Sequence, residues 1–237
     1  TPGLDILLAR DLGMAPDTRR LFIGHMGCYA ALPGLGAVAD FVTVHNRPAV
    51  LLCVELTSLH VQPPTVETQQ MVAHSLFSDA AAAVVLQPSA PTGAYEVRAA
   101  RSVTDTTAAD QMTWDVTDFG FRMGLSQQVP ETLSNHLGGL TRELLRPYGL
   151  AYRDVDGWAV HPGGPRILSV VERELGLPAA ALAASRTTLA EHGNCSSPTV
   201  LLILEALRRE SSPARNIVAL AFGPGLTLYA VLLRRAA

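Results

Sequence analysis

The chain has 237 residues, 48% of them hydrophobic and 16% charged, and a formal net charge of -3. A chain of this length can bury a large core without disulfides or metal ions, and no apolar run reaches the ~18 residues that a membrane-spanning helix needs. The scattered basic residues argue against a nucleic-acid-binding surface. The three cysteines stand in unrelated contexts, which indicates reduced thiols and a cytoplasmic protein.

The first part of the chain predicts alternating helices and strands. Apolar residues at helical spacing define the helices, and short apolar runs define the strands. In chain order these elements are a helix over 2–13, a strand over Arg20–Met26, a helix over Ala30–Val44, a strand over Ala49–Val54, a helix over Gln69–Leu76 and a strand over Ala80–Leu86. Because the strand over Ala49–Val54 is apolar throughout, we expect a parallel sheet that is buried on both faces.

A loop near residues 87–94 divides the chain into two predicted halves, 1–90 and 91–237. The second half is again a mixture of strands and helices, and "GPG" between its last two strands is typical of a hairpin. Its predicted elements are a strand over Tyr95–Val103, a helix over Val129–Tyr148, a strand over Val155–Val160, helices over Arg166–Leu175 and Thr199–Arg209, and strands over Ile217–Phe222 and Leu226–Leu233. No helix or strand is predicted for the polar stretch over residues 104–120.

A weak internal repeat relates the two halves. "RLFIGHMGCYAAL" and "DGWAVHPGGPRIL" both predict a strand, a glycine turn and a helix. This internal similarity predicts that Cys28 and His161 lie at equivalent turns of two similar units.

Three polar residues lie at predicted turns between strand and helix: Cys28, His161 and Asn194. A thiol beside a helix N-terminus and an imidazolium has a lowered pKa and is a nucleophile at neutral pH. The Asn194 amide is a donor suited to a developing oxyanion. Each residue also has a structural alternative, because free cysteines usually pack as small apolar groups and asparagine after glycine is commonly a turn residue.

The order Cys, His, Asn also occurs in papain-like proteases. The local signature of that family is missing, since Cys28 stands in "GCYAAL". We therefore rank a protease well below an acyl-transfer enzyme.

Six strings together carry a resemblance to a known family. They are "GCYAALPGLGAVADF", "LLCVELTSLHVQPP", "HSLFSDAAAAVVL", "WAVHPGGPRIL", "EHGNCSSPTVLLILEAL" and "AFGPGLT". In this order they resemble the type III polyketide synthases of the chalcone synthase superfamily, in a bacterial, actinobacterial version. The resemblance covers nearly the whole chain.

The resemblance implies an α/β fold of the thiolase type, with αβαβα layers, two similar halves and a homodimer. Residues 1–90 would carry the nucleophile, and 91–237 the histidine and asparagine. Family members have further elements before the segment that begins here at Thr1, so we expect this chain to lack the N-terminal portion of its first half.

By motif match, Cys28 would carry the acyl chain, with His161 and Asn194 as its catalytic partners. Phe77 would be the aromatic gate between the CoA tunnel and the reaction cavity, and His60 would line that cavity. The loop of Phe222, Gly223, Pro224 and Gly225 would shape it. The substrates would be acyl-CoA and malonyl-CoA, with an acyl carrier protein as another starter donor. No metal or further cofactor is expected, because no cluster has ligand spacing.

Two other functions stay open at this point. A ketoacyl-ACP synthase of type III, which performs a single condensation, also uses cysteine, histidine and asparagine. A non-catalytic thiolase-fold partner subunit is the alternative from another class, and the retention of Cys28, His161 and Asn194 argues against it.

Overall fold

The computed structural model describes residues 3–89 and 91–236. The helices in this part of the chain are α1 (Leu4–Asp11), α2 (Ala31–His45), α3 (Thr68–Leu76), α4 (Val129–Leu145), α5 (Pro165–Leu175), α6 (Ala183–His192) and α7 (Pro198–Arg208). The strands are β1 (Ala49–Glu55), β2 (Ala80–Leu86), β3 (Tyr95–Thr104), β4 (Met112–Thr117), β5 (Gly120–Leu125), β6 (Gly157–Val160), β7 (Asn216–Gly223) and β8 (Thr227–Arg235). Pro2, which falls within the first predicted helix, lies outside the described residues.

The main sheet has the strand order β3-β8-β7-β6. Only β6 and β7 are parallel in it, and the other neighbours are antiparallel. Every residue of β7 is buried, because helices cover both faces of the sheet. This burial explains why the strand is apolar along its whole length.

The elements stack as alternating layers. On one face of the main sheet, α4 and α5 pack their apolar sides into a core that includes Leu137, Leu168 and Leu220. On the other face, α2 and α7 pack against alternate residues of the same strands, such as Ala219. The pair β1–β2 covers the far side of α2 and α7, with Leu51 turned inward. The described chain is therefore built as helix, sheet, helix, sheet.

The predicted strand over Arg20–Met26 is wrong. This segment has no regular structure in the described chain, and the side chains of Leu21 and Phe22 are exposed. A strand needs a neighbour for its backbone hydrogen bonds, and no described strand pairs with residues 20–26.

The expected parallel, doubly buried sheet around Ala49–Val54 is also wrong. β1 pairs with β2 in antiparallel register, Ala49 opposite Leu86. One face of the pair is buried through Leu51 and Cys53, while Val50 and Val85 on the other face are 50% and 59% exposed. An unbroken run of apolar residues therefore does not tell whether a strand is buried on both faces or, as in β1, on one face only.

Two elements were not predicted: the β4–β5 hairpin and α6. The hairpin lies partly in the polar stretch over 104–120, where its apolar residues alternate with charged and polar ones, as at Trp114 and Val116. The two strands turn at Gly120, which has a φ of +92°, a value that glycine adopts without strain. The helix α6 has a weak apolar stripe, with only Ser185 and Thr188 buried.

The segment Gly27–His45 is long and apolar enough to cross a membrane by length and composition, although a buried core helix passes the same test. In this fold it carries Ala31, Leu32 and Leu35 into the core between the two sheets. Its apolar character follows from that position.

Candidate active site

Cys28 lies on a tight 3₁₀ turn, Gly27–Tyr29, that leads directly into α2. Gly27 has a φ of +64°, which lets the chain reverse at this point. The loop that joins β7 to β8 packs on the turn. A Cβ on Gly223 would lie 2.5 Å from the Tyr29 ring and 2.9 Å from the Met26 carbonyl oxygen. Glycine is therefore required for the close approach of the two segments.

A prediction follows for this contact. Gly223→Ala should lower the free energy of unfolding by about 1–3 kcal/mol, the usual cost of overpacking, which is a fall in melting temperature of roughly 2–10 °C for a chain of this size. Gly36→Ala in α2 is the matched control, because a Cβ on Gly36 would have no neighbouring atom within 4 Å, and it should be neutral or slightly stabilising. Equal melting temperatures for the two variants would contradict the tight packing.

Asn194 is held by its backbone rather than by a strand. It follows α6 and forms a parallel bridge with Phe77, in which its N–H donates to the Leu76 carbonyl at 2.7 Å and its carbonyl accepts from the Ser78 N–H at 3.0 Å. The sequence predicts a turn between strand and helix for Asn194, and the structure corrects this to a turn between two helices. Gly193 precedes it with a φ of +72°.

The Asn194 side chain is oriented as a donor. Its Oδ1 accepts the backbone N–H of Ser196 at 2.9 Å, and Ser196 itself has a φ of +56°. Because Oδ1 already accepts this hydrogen bond, the amide N–H₂ is the group that faces the Cys28 thiol. The residue is 1% exposed, so this donor acts in a water-poor environment.

The Cys28 thiol is neutral in the structure. Burial raises its pKa to about 11; hydrogen bonding by the side chains of Ser196 and Asn194 opposes this rise, and the Glu55 carboxylate adds to it. The sequence-based expectation of a lowered pKa is therefore wrong, because loss of hydration outweighs the effect of the helix terminus. The Asn194 side chain lies within hydrogen-bond reach of the Cys28 thiol, and the catalytic roles of both residues stay predictions.

His161 directly follows β6, and burial favours its neutral form as well. Its backbone N–H donates to the Leu220 carbonyl at 2.8 Å, which places it beside β7, three residues before the loop that packs on the Cys28 turn. The ring is 1% exposed, and neither Nδ1 nor Nε2 has a hydrogen-bond partner among the described residues. Burial lowers its pKa to about 3. A buried imidazole whose two nitrogens have no partner in the described chain is costly, which favours a functional over a purely structural role for His161.

Sequence reasoning missed Ser196 and Glu55, which lie near the Cys28 thiol, and Ser197, which lies near the Cys53 thiol. Ser197 Oγ donates to Glu55 Oε1 at 2.7 Å, and the Glu55 carboxylate raises the pKa of Cys28 and of Cys53. Glu55 is the last residue of β1, a carboxylate at the end of an apolar strand, and that position was the available signal. Cys53 faces the core, as expected of a free cysteine that packs as a small apolar side chain.

A cavity of about 330 Å³ lies next to this cluster. Phe77, His60 and the hairpin residues Trp114, Phe121 and Met123 line it. Cys28, His161 and Asn194 do not line it, and Phe77, whose backbone is bridged to that of Asn194, connects the cavity to them. Its volume suits a small organic molecule.

The loop of Phe222, Gly223, Pro224 and Gly225 has a different place. Phe222 is 3% exposed and packs in the core, while Gly223 and Pro224 contact the Cys28 turn. None of the four lines the 330 Å³ cavity, so a role in shaping it stays a prediction. Within residues 3–89 and 91–236, no group of His, Cys, Asp and Glu side chains is arranged to hold a metal ion.

Two family models match the chain. The N-terminal domain of chalcone and stilbene synthases matches residues 1–90, and the C-terminal domain of the same family matches residues 97–237. Together they account for almost the whole sequence.

Individual relatives agree with the family models. The α-pyrone synthesis polyketide synthase-like Pks18 of Mycobacterium tuberculosis is 33% identical over 98% of this chain and 61% of its own length. The 1,3,6,8-tetrahydroxynaphthalene synthase of Streptomyces peucetius subsp. caesius is 38% identical over 98% of this chain and 63% of its own length. The chain thus spans rather less than two thirds of these relatives.

Solved structures confirm the thiolase-like α/β fold. The 1,3,6,8-tetrahydroxynaphthalene synthase of Streptomyces coelicolor A3(2), a bacterial type III polyketide synthase, superposes with a TM-score of 0.93 at 30% identity, over 100% of this chain and 68% of its own. PKS-I of the brown alga Ectocarpus siliculosus superposes with a TM-score of 0.92 at 30% identity, and the match covers 100% of this chain and 65% of PKS-I.

Proposed function

Because the chain belongs to the chalcone and stilbene synthase family of type III polyketide synthases, we propose that it condenses a starter acyl-CoA with malonyl-CoA on a cysteine thioester. The observation that carries the proposal is the contact of the Cys28 thiol with the Asn194 amide. The His161 imidazole supports it, because this ring is buried and has no hydrogen-bond partner among the described residues. This is a nucleophile with donors for an oxyanion. The product would be a pyrone or a phenolic ring.

Acylation starts from two neutral groups. Cys28 Sγ attacks the thioester carbon of the starter while its proton passes to the His161 imidazole. Burial opposes each charge alone, and the thiolate and imidazolium offset that cost because they form together as an ion pair. The carbon–sulfur bond to CoA breaks, and the CoA thiolate takes the proton as it leaves. The new bond is the Cys28 acyl thioester.

Extension uses the same donors. When malonyl-CoA loses CO₂, the electron pair of the broken carbon–carbon bond forms an enolate whose charge rests on the thioester oxygen. The Asn194 amide and the His161 N–H would donate to this oxygen, and they are most effective in a buried site. The carbanion attacks the Cys28 thioester carbonyl, the carbon–sulfur bond breaks and the Cys28 thiolate leaves. The chain, longer by two carbons, is now a CoA thioester, and its transfer back to Cys28 releases CoA and prepares the next extension.

The remaining requirement is an apolar side chain beside the malonyl carboxylate. Phe77 beside Asn194 disfavours a charged carboxylate and so favours its loss as CO₂. We propose that the enzyme works as a cytoplasmic homodimer on CoA thioesters, that an acyl carrier protein is a second source of starter, and that no metal or resident cofactor takes part.

Incubation with malonyl-CoA and a panel of acyl-CoA starters tests the proposal, with products identified by mass spectrometry. We expect products that contain several ketide units and have lost the water of ring closure. A single-condensation ketoacyl product would instead identify a ketoacyl-ACP synthase type of enzyme, and the absence of any condensation product would contradict the proposal.

A further inference from the structure

His60 presents a fixed hydrogen-bond donor in the cavity. The residue ends a short 3₁₀ turn, Thr57–His60, and is half-buried. Its Nδ1 accepts the backbone N–H of Phe121 at 3.3 Å. A backbone N–H can only donate, so Nδ1 carries the lone pair and Nε2 carries the proton in the neutral ring.

The approach of the two segments depends on a glycine. A Cβ on Gly120 would lie 2.5 Å from His60 Nδ1, so a larger residue before Phe121 would push the ring away. The Phe121 ring also packs on the imidazole in an edge arrangement, with centroids 5.1 Å apart. The ring is thus held from two sides.

Gln62 fixes the same geometry from the backbone. Its Nε2 lies within hydrogen-bond distance of the carbonyls of His60, Phe119 and Phe121, at 3.1, 3.4 and 3.3 Å. Thr117 Oγ1 donates to its Oε1 at 3.2 Å. The Gln62 amide therefore connects the β4–β5 hairpin to the turn that carries His60, and this contact holds the imidazole in a fixed position before substrate binds.

Several other polar groups on the cavity wall are already engaged within the protein, whereas His74, which also lines the cavity, has an exposed side chain. Ser58 Oγ donates to Asp79 Oδ2 at 2.5 Å and Thr57 Oγ1 to Asp79 Oδ1 at 3.2 Å. Gln70 donates to the Met123 carbonyl at 2.7 Å. His60 Nε2 has no hydrogen-bond partner within residues 3–89 and 91–236, on a ring that faces a cavity also lined by Phe77 and Trp114.

We propose that the His60 Nε2–H donates to a β-keto oxygen of the growing chain and so makes this cavity selective for β-ketoacyl over saturated acyl groups. The inference rests on the proposed function. A donor held in an aromatic cavity discriminates between two chains of equal length that differ by one carbonyl oxygen, because the saturated chain leaves the donor without a partner.

Acetoacetyl-CoA and butyryl-CoA are the matched probes, since they differ only at the β-carbon. The measurement is the ratio of the two kcat/KM values for acyl transfer to Cys28, followed by intact mass. We expect the wild-type chain to prefer acetoacetyl-CoA, and His60→Phe to reduce that preference by roughly 3–10-fold, the value of one neutral hydrogen bond.

Two further variants separate the donor from a purely structural role. The oxygen of His60→Asn stands near the position of Nδ1 and can accept the Phe121 N–H, but its amide does not reach the position of Nε2, so the preference should fall while the melting temperature stays near that of the wild type. The longer His60→Gln puts an N–H₂ near Nε2 and should restore much of the preference. Preference restored by asparagine, or unchanged in His60→Phe, would overturn the inference. Failure of the wild-type chain to load either starter would contradict the proposed function instead.

Discussion

Cys28→Ala is expected to abolish formation of the acyl-enzyme completely. The structure puts the thiol against the Asn194 amide, and alanine leaves no group at this position that could form a thioester. After incubation with acyl-CoA, the intact mass of the variant should stay that of the unmodified chain, while the wild-type chain gains one acyl group.

Cys53→Ala is the matched control for this experiment. Cys53 is another buried thiol whose pKa is raised to about 11, chiefly by burial, but it faces the core between β1 and the helices. This variant should still gain one acyl group. A mass gain in Cys28→Ala, with its melting temperature unchanged, would show that the nucleophile is another residue.

Asn194→Ala should slow the decarboxylation of malonyl-CoA by about 10²–10³-fold, the usual effect of removing one oxyanion donor. Acylation of Cys28 should change much less, because that step does not need the enolate to be stabilised. Release of CO₂ and intact mass, measured on the same preparation, separate the two steps.

A second variant at this position controls for structure. Asn194→Asp keeps an oxygen that can accept the Ser196 N–H but has no N–H₂, so its decarboxylation should fall at least as far. Because a carboxylate is costly to bury at this position, the melting temperatures of both variants are measured, and decarboxylation is compared only under conditions in which both are folded. An equal loss of acylation and decarboxylation in the alanine variant would indicate that Asn194 only holds the turn.

The sequence predicted helices and strands best where apolar residues follow a regular pattern along an element. The strand Ala80–Leu86 was predicted to the residue, and the last two strands, with the "GPG" turn between them, were found as a hairpin. Helix ends marked by glycine, such as Gly176 with a φ of +62°, were also recovered. In these places local pattern and tertiary packing agree.

The errors arose where an element depends on a distant partner. Arg20–Met26 has the apolar pattern of a strand but no described neighbour, and the direction of the sheet around Ala49–Val54 could not be read from apolarity alone. The protonation of the site was also missed. The position of Cys28 before a helix suggested a thiolate, and only the folded chain reveals the burial that raises its pKa.

The candidate site was only partly accessible from the residues. Motifs identified Cys28, His161 and Asn194, whereas the Ser197–Glu55 hydrogen bond and the hairpin wall beside His60 depend on contacts between segments more than 50 residues apart. Such contacts leave no local periodic signal.

The central claim is that one thiol accepts, extends and releases the chain. Its most direct test is peptide mass spectrometry of the wild-type chain, loaded with an acyl-CoA and then given malonyl-CoA for a short time before acid quench. We predict that the acyl group sits on the peptide that contains Cys28 and that its mass then rises by whole ketide units. An unmodified Cys28 peptide, or growth of the chain on another residue, would contradict the account.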